Sequence, residues 1–182
     1  SKFKNITIPS CLDVNKWKPV KGVERKPSTV IGVDSLAVFK GRYNINTFVE
    51  KHPELQFTFV GSEPSINKPN CTYMSYVKNE DLPQLFSQYE YFIHLPANID
   101  PFCRLVAEAR LCGCKIIGNE NVGGLSFNFK RDDGSIFNFM AEEDIEKVRH
   151  YLKQASISFW EEIEIATGDL SFDGKTVKVM GD

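Results

Sequence analysis

The chain has 182 residues, of which 42% are hydrophobic, and its 22 Lys and Arg against 24 Asp and Glu leave a net charge of −2. That composition excludes wholesale disorder and a nucleic-acid binder built on a strongly basic face, and the length fits one ordinary domain. No apolar run approaches the roughly 18–20 residues of a spanning helix, and Ser1-Lys2-Phe3-Lys4 lacks the apolar segment of a secretory signal, so a cytoplasmic setting is expected. The five cysteines, at 11, 71, 103, 112 and 114, are then expected to be reduced thiols.

Residues 1–28 are irregular and punctuated by proline, and read as the lead-in to a domain spanning 29–182. Short apolar runs then alternate with helix-period segments, the pattern of a parallel sheet with crossover helices. Thr29–Val33 reads as the first strand. A helix is expected over Gly41–Lys51, with Ile45, Phe48 and Val49 on one face and His52-Pro53 as its stop. Gln56–Val60 and Thr72–Val77 are the second and third strands. A helix capped by Asn79 or Glu80 runs to about Gln88, followed by a strand over Tyr91–Leu95. The next helix is expected from about Phe102 to Cys112, and Lys115–Gly118 is the fifth strand, leading to a turn at Asn121–Gly124. Beyond the apolar Ile136–Phe139, helices are expected over Glu142–Lys153 and Ser158–Ile165, with a terminal hairpin around Asp173-Gly174. The fold class this defines is α/β, a Rossmann-like, doubly wound, mainly parallel sheet. Ligands of such sheets bind beyond the carboxyl ends of the strands.

Unusual residues fall at those ends. Asp100 and Glu108 bracket a helix start, whose unpaired N–H groups suit phosphate or sugar oxygens, and Glu108 can accept hydrogen bonds from a diol such as a ribose. The plainer account is an Asp100-Pro101 helix cap and an Arg104–Glu108 pair one turn apart. Lys40-Gly41 can hold a diphosphate by charge and close approach, or be a solvated loop lysine. Gly123-Gly124 allows a backbone to approach a ligand, as does any turn. The sequence has no Rossmann dinucleotide fingerprint, no P-loop and no Asp-x-Asp. No metal is expected, because Cys112-Gly113-Cys114 is too close-set for a zinc knuckle and His52, His94 and His150 are scattered.

Taken together, these segments resemble the C-terminal, donor-binding domain of GT-B glycosyltransferases of the retaining group 1 family (family 4). The stretch from Ile6 to Pro19 is similar to that family's interdomain segment, V-I-P-N-x-(V/I)-D-x-x-x-F-x-P. Asp34–Gly41 corresponds to G-R-L-x-x-x-K-G, Phe57–Gly61 to its second strand and glycine, and Asn79–Phe86 to N-E-E-L-P-x-L-Y. Asp100 through Glu108 matches E-x7-E, and Glu108–Ile117 matches E-A-M-A-C-G-x-P-V-I.

The resemblance implies one half of a GT-B fold and a metal-independent hexosyltransferase-like enzyme, with a nucleoside-diphosphate sugar as co-substrate and no further cofactor. Its implied catalytic residues are Asp100, facing the donor sugar, Glu108, on the ribose, and Lys40, on the diphosphate. Gly61, Val77, Lys78, Gly123 and Gly124 would line the donor, with Phe102, Cys103 and Arg104 offering helix-start contacts. Ser35 stands where the family carries a diphosphate-binding Arg, Asp100 is one methylene shorter than Glu, and Pro101 and Cys103 replace frequent glycines. The implied partners are the donor, an N-terminal GT-B domain in cis or in trans, and a glycan, lipid-linked or protein acceptor; nucleic acid is not among them. Lys16, Lys18, Lys21, Arg25 and Lys26 offer contact with an anionic membrane surface. The alternative reading is a non-catalytic nucleotide-sugar-binding or interaction module. A sugar-nucleotide epimerase fits the Lys-Gly and spaced-acid segments less well, and a glycoside hydrolase is rejected because helical rise would put the two acids about 10–12 Å apart.

Overall fold

The computed structural model describes residues 12–33, 40–61, 66–101, 103–123, 128–130 and 136–138, the last two stretches as backbone alone. Five strands form one all-parallel sheet: β1 (Lys26–Val33), β2 (Gln56–Val60), β3 (Cys71–Met74), β4 (Tyr89–His94) and β5 (Lys115–Gly118). Their order is β3-β2-β1-β4-β5. Among the described residues three helices connect them: α1 (Arg42–Lys51), α2 (Leu82–Ser87) and α3 (Arg104–Leu111). A short antiparallel pair follows, β6 (Asn128–Lys130) with β7 (Ile136–Asn138). The expected Rossmann-like α/β class is the one observed.

The two-residue period of the strands sorts the core onto two faces. Ile31, Val60 and Phe92 pack on one face with Leu82, Leu85 and Phe86 of the α2 region and Val106 and Ala109 of α3. Val30, Phe57, Phe59 and Ile93 pack on the other with Ile45 and Val49 of α1. Both faces are covered, as a parallel sheet requires.

β1 begins three residues before the expected Thr29, across a register shift between Lys26 and Val30. Ser28 takes up that irregularity with φ 56° and donates its N–H to Glu90 at 2.7 Å. β3 stops at Met74 rather than Val77, where its carbonyl accepts the Gly61 N–H at 3.0 Å. α2 is shorter than expected and capped by Asp81; the Asn79 side chain instead accepts a bond from Lys16 Nζ. β4 starts at Tyr89 rather than Tyr91, extending the pairing with the early part of β1. The expected helices over 142–153 and 158–165 and the terminal hairpin lie outside the described residues.

The lead-in contributes to the core. The Asp13 carboxylate accepts the Asn15 and Lys16 N–H groups, and its carbonyl accepts that of Trp17 at 2.9 Å. This local turn drives Trp17, 2% exposed, onto Phe86 at a ring separation of 6.3 Å. Arg25 also turns inward, donating to the carbonyls of Tyr89 and, at 2.8 Å, Cys112, and so ties β4 to the end of α3. It is thereby removed from the basic surface expected to meet anionic lipid. Among the described residues no helix is long and apolar enough to cross a membrane. Trp17→Ala is expected to cost about 3–5 kcal/mol, the range for deleting a buried aromatic, measured by urea unfolding.

Candidate functional site

In the order β3-β2-β1-β4-β5 the chain direction across the sheet reverses between β1 and β4. In an open parallel sheet such a reversal is the switch point, beyond whose strand carboxyl ends ligands bind in a crevice. Lys40-Gly41 borders it from the β1 side, and the segment from Leu95 to Asp100 borders it from the β4 side.

Gly41 sets how closely these segments approach. It has φ 92° and precedes α1, and a Cβ on it would lie 1.8 Å from the Leu95 carbonyl oxygen. Asn44, in the first turn of α1, donates to that same oxygen at 3.0 Å. Asp100 is held by its backbone: its N–H donates to the Asn121 carbonyl and its carbonyl accepts the Gly123 N–H, both at 2.8 Å. A Cβ on Gly123 would lie 2.1 Å from the Pro101 carbonyl oxygen. Asn119 and Asn121 donate to the Pro96 carbonyl, each at 3.0 Å, closing the loop after β4 onto the end of β5.

The Asp100 carboxylate is shared. Its Oδ2 lies 3.1 Å from His94 Nε2 and 3.8 Å from Lys40 Nζ. His94, the last residue of β4, has a side chain 14% exposed. Its pKa is lowered, first by burial and against the raising effect of the Asp100 hydrogen bond, with Lys40 adding to the lowering. The Cys103 thiol is pushed up to about 11, again by burial first, so it is protonated at neutral pH. The donor atoms of His94, Asp100 and Cys103 all lie within 4.8 Å of one another. Sequence spacing concealed this cluster, although a histidine ending an apolar strand at its ligand-binding end was the available signal.

Asp100 and Pro101 do not form the cap expected for the next helix. α3 starts at Arg104 with Cys103 as its N-cap, because residues 100 and 122 instead pair as an isolated parallel bridge. The Arg104–Glu108 pair is present at 3.5 Å. Glu108 faces the protein interior, its side chain 4% exposed. Burial raises its pKa; the positive charges of Arg104 and, more weakly, Lys16 oppose that rise.

The structure thus brings Lys40, Asp100, Cys103 and Gly123 together and adds His94. Gly61 lies at the end of β2. Val77 packs against the core on the α3 side of the sheet, and Lys78 is exposed and 3.9 Å from Glu80. Ser35, Phe102 and Gly124 lie outside the described residues.

No protein-family model and no curated protein matches the sequence. Solved structures do share its fold. Anabaena HepE in complex with UDP-glucose superposes with a TM-score of 0.53 at 16% identity, over 65% of this chain and 39% of HepE. TarM superposes with a TM-score of 0.53 at 13% identity, over 84% of this chain and 32% of TarM. A mutant of S. aureus TarM in complex with fondaparinux, α-GlcNAc-glycerol and UDP gives a TM-score of 0.52 at 11% identity, over 85% and 33% of the two chains. The alignments therefore cover well under half of each of those chains. The likeness is one of fold, the Rossmann-like α/β fold of GT-B glycosyltransferase structures.

Two substitutions test this geometry. Gly41→Ala is expected to cost about 3 kcal/mol or more in urea unfolding, since both the positive φ and the Leu95 carbonyl oppose a side chain. Glu108→Gln is expected to leave Tm at pH 7 unchanged or raise it by roughly 0–4 °C, because a buried carboxylate held by one long ion pair costs stability when charged. The sign follows from the raised pKa: the folded state holds this proton more tightly than the unfolded chain does. The wild type should therefore lose stability relative to Glu108→Gln as pH rises from about 4.5 through the raised value, and the difference should level off above it.

Proposed function

We propose that this chain is the donor half of a glycosyltransferase, binding a nucleoside-diphosphate sugar in the β1/β4 crevice. The observation that carries this reading is the Lys40–Asp100–His94 arrangement. It places a cation, an acid and its buried hydrogen-bond partner at the switch point of a Rossmann-like sheet. Lys40, with its side chain 47% exposed, turns from Asp100 to the diphosphate and stabilises its charge as the glycosyl bond breaks. Asp100 faces the sugar, oriented by His94 and by its two backbone bonds. Glu108 accepts the ribose hydroxyls, a use that gives an acid a role where burial opposes its charge. Val77 and Lys78 meet the base edge.

Transfer on this reading retains anomeric configuration and needs no metal, since Lys40 supplies the positive charge at the leaving group. A second, N-terminal GT-B domain, in cis or in trans, supplies the acceptor site for a glycan, a lipid-linked sugar or a protein. The similarity to 39% of HepE, a protein seen with UDP-glucose, supports this division of labour.

The test is a thermal-shift and calorimetric screen of UDP, ADP and GDP sugars against the 182-residue chain. A stabilising donor is expected, with binding weakened about tenfold or more by Lys40→Ala and by Glu108→Gln, as for loss of a charged hydrogen bond. Donor binding that survives both substitutions would remove this placement. Sugar transfer by the isolated chain at a full enzyme's rate would remove the half-enzyme reading.

A further inference from the structure

We infer that His94, Asp100 and Cys103 form a site for a soft divalent cation of the Zn²⁺ class, and that its occupation masks the donor acid. The inference that donor binding is thereby blocked rests on the functional reading above; the metal site itself does not.

The ligand set is chemically matched. An imidazole nitrogen, a carboxylate oxygen and a thiol sulfur are the three donor types that Zn²⁺ takes, and three protein ligands leave a fourth position open. The donors already lie within 4.8 Å of one another. Tetrahedral zinc, at about 2.0–2.3 Å from its ligands, needs them roughly 3.3–3.8 Å apart, so closure shortens a 4.8 Å separation by about 1–1.5 Å, shared between two side chains. The scaffold for these movements is fixed on two sides. His94 ends a central strand, and Asp100 is tied through its backbone to Asn121 and Gly123.

The charges also close. On coordination the Cys103 thiol gives its proton to solvent and Sγ bonds the metal; His94 binds as neutral imidazole through Nε2. One carboxylate and one thiolate then balance the two positive charges of the ion. His94 Nε2 exchanges its contact with Asp100 Oδ2 for the metal, and Lys40 Nζ, 3.8 Å from that same oxygen, is driven away by charge repulsion. Lys40 is therefore the competitor for the site. Metal and donor impose opposite demands on Asp100: one engages its carboxylate, the other needs it facing the sugar.

The experiment uses the whole chain with metal alone, first Co²⁺ as a spectroscopic probe and then Zn²⁺ by competition. The expected result is one ion per chain, with the intense visible bands of tetrahedral cobalt and a thiolate-to-metal charge-transfer band. Cys103→Ser should abolish the charge-transfer band, and both Cys103→Ser and His94→Gln should weaken affinity about tenfold or more. Lys40→Ala should tighten metal binding several-fold while weakening any nucleotide-sugar binding, a reversal that a merely structural role for Lys40 does not give. Melting curves of the three variants confirm that they are folded. Absence of binding, or binding that Cys103→Ser and His94→Gln leave unchanged, would overturn the site. Zn²⁺ bound at the site without weakening a nucleotide sugar that binds the metal-free chain would overturn the masking. If no nucleotide sugar binds the metal-free chain, the donor reading fails and the masking falls with it, while the metal site stands on the cobalt result.

Discussion

β1 and β4 lie side by side in the sheet although β2, β3, α1 and α2 come between them in the chain. Their parallel pairing, Val30 with Tyr91 through Gly32 with Ile93, delivers the ends of both strands to one place. Everything at the candidate site depends on how closely the two exits then approach. The absence of a side chain at Gly41 sets that approach, because its Cα side abuts the Leu95 carbonyl. The loop after β5 adds a third wall by hydrogen bonding to the backbone of Asp100. Three connections are thus fixed by backbone contacts, and the side chains that meet there inherit a common frame.

Within that frame the polar groups divide between two environments. Asp100 is a fifth exposed and has two cationic or hydrogen-bonding partners, whereas Glu108 is almost fully buried and has one long ion pair. A protein selected for stability alone gains by replacing such a carboxylate with an amide or an apolar group. A carboxylate in a helix packed on the core is a local cost that packing alone does not explain. The raised pKa follows from the same burial, with Arg104 and Lys16 offsetting only part of it.

β2 and β5 were legible residue for residue, because Gln56–Val60 and Lys115–Gly118 are short β-prone runs bounded by turn residues. The boundaries of β1, α2 and α3 were not, and in each case a tertiary contact decided them. Ser28 carries the strand across a bulge, Asn79 is engaged by Lys16, and Asp100 bonds to the 121–123 segment rather than capping a helix. The same limit applies to the site. Lys40, Asp100, Cys103 and Glu108 could be picked out by residue type, position and resemblance, whereas His94, which ends an apolar strand, was not joined to them. Cys103, expected at the donor from its place at a helix start, also packs against the core, and its approach to His94 emerges only when the chain folds.

The exposures of the groups around Asp100 differ enough to assign an order of events. Lys40 is 47% exposed and 3.8 Å away; His94 is 14% exposed and 3.1 Å away. Screening by solvent makes the lysine pair the weaker and more readily exchanged contact, while the buried histidine bond is protected from competing water. On the donor-binding reading proposed above, an anion arriving from solvent meets Lys40 first and draws it off without releasing Asp100, which His94 and two backbone hydrogen bonds still hold. On the metal-site proposal, a cation meets the same two partners with the opposite preference: it is repelled by Lys40 and needs the neutral imidazole. Under these two proposals, one carboxylate with an exchangeable cationic partner on its wet side and a fixed neutral partner on its dry side separates ligands by the sign of their charge.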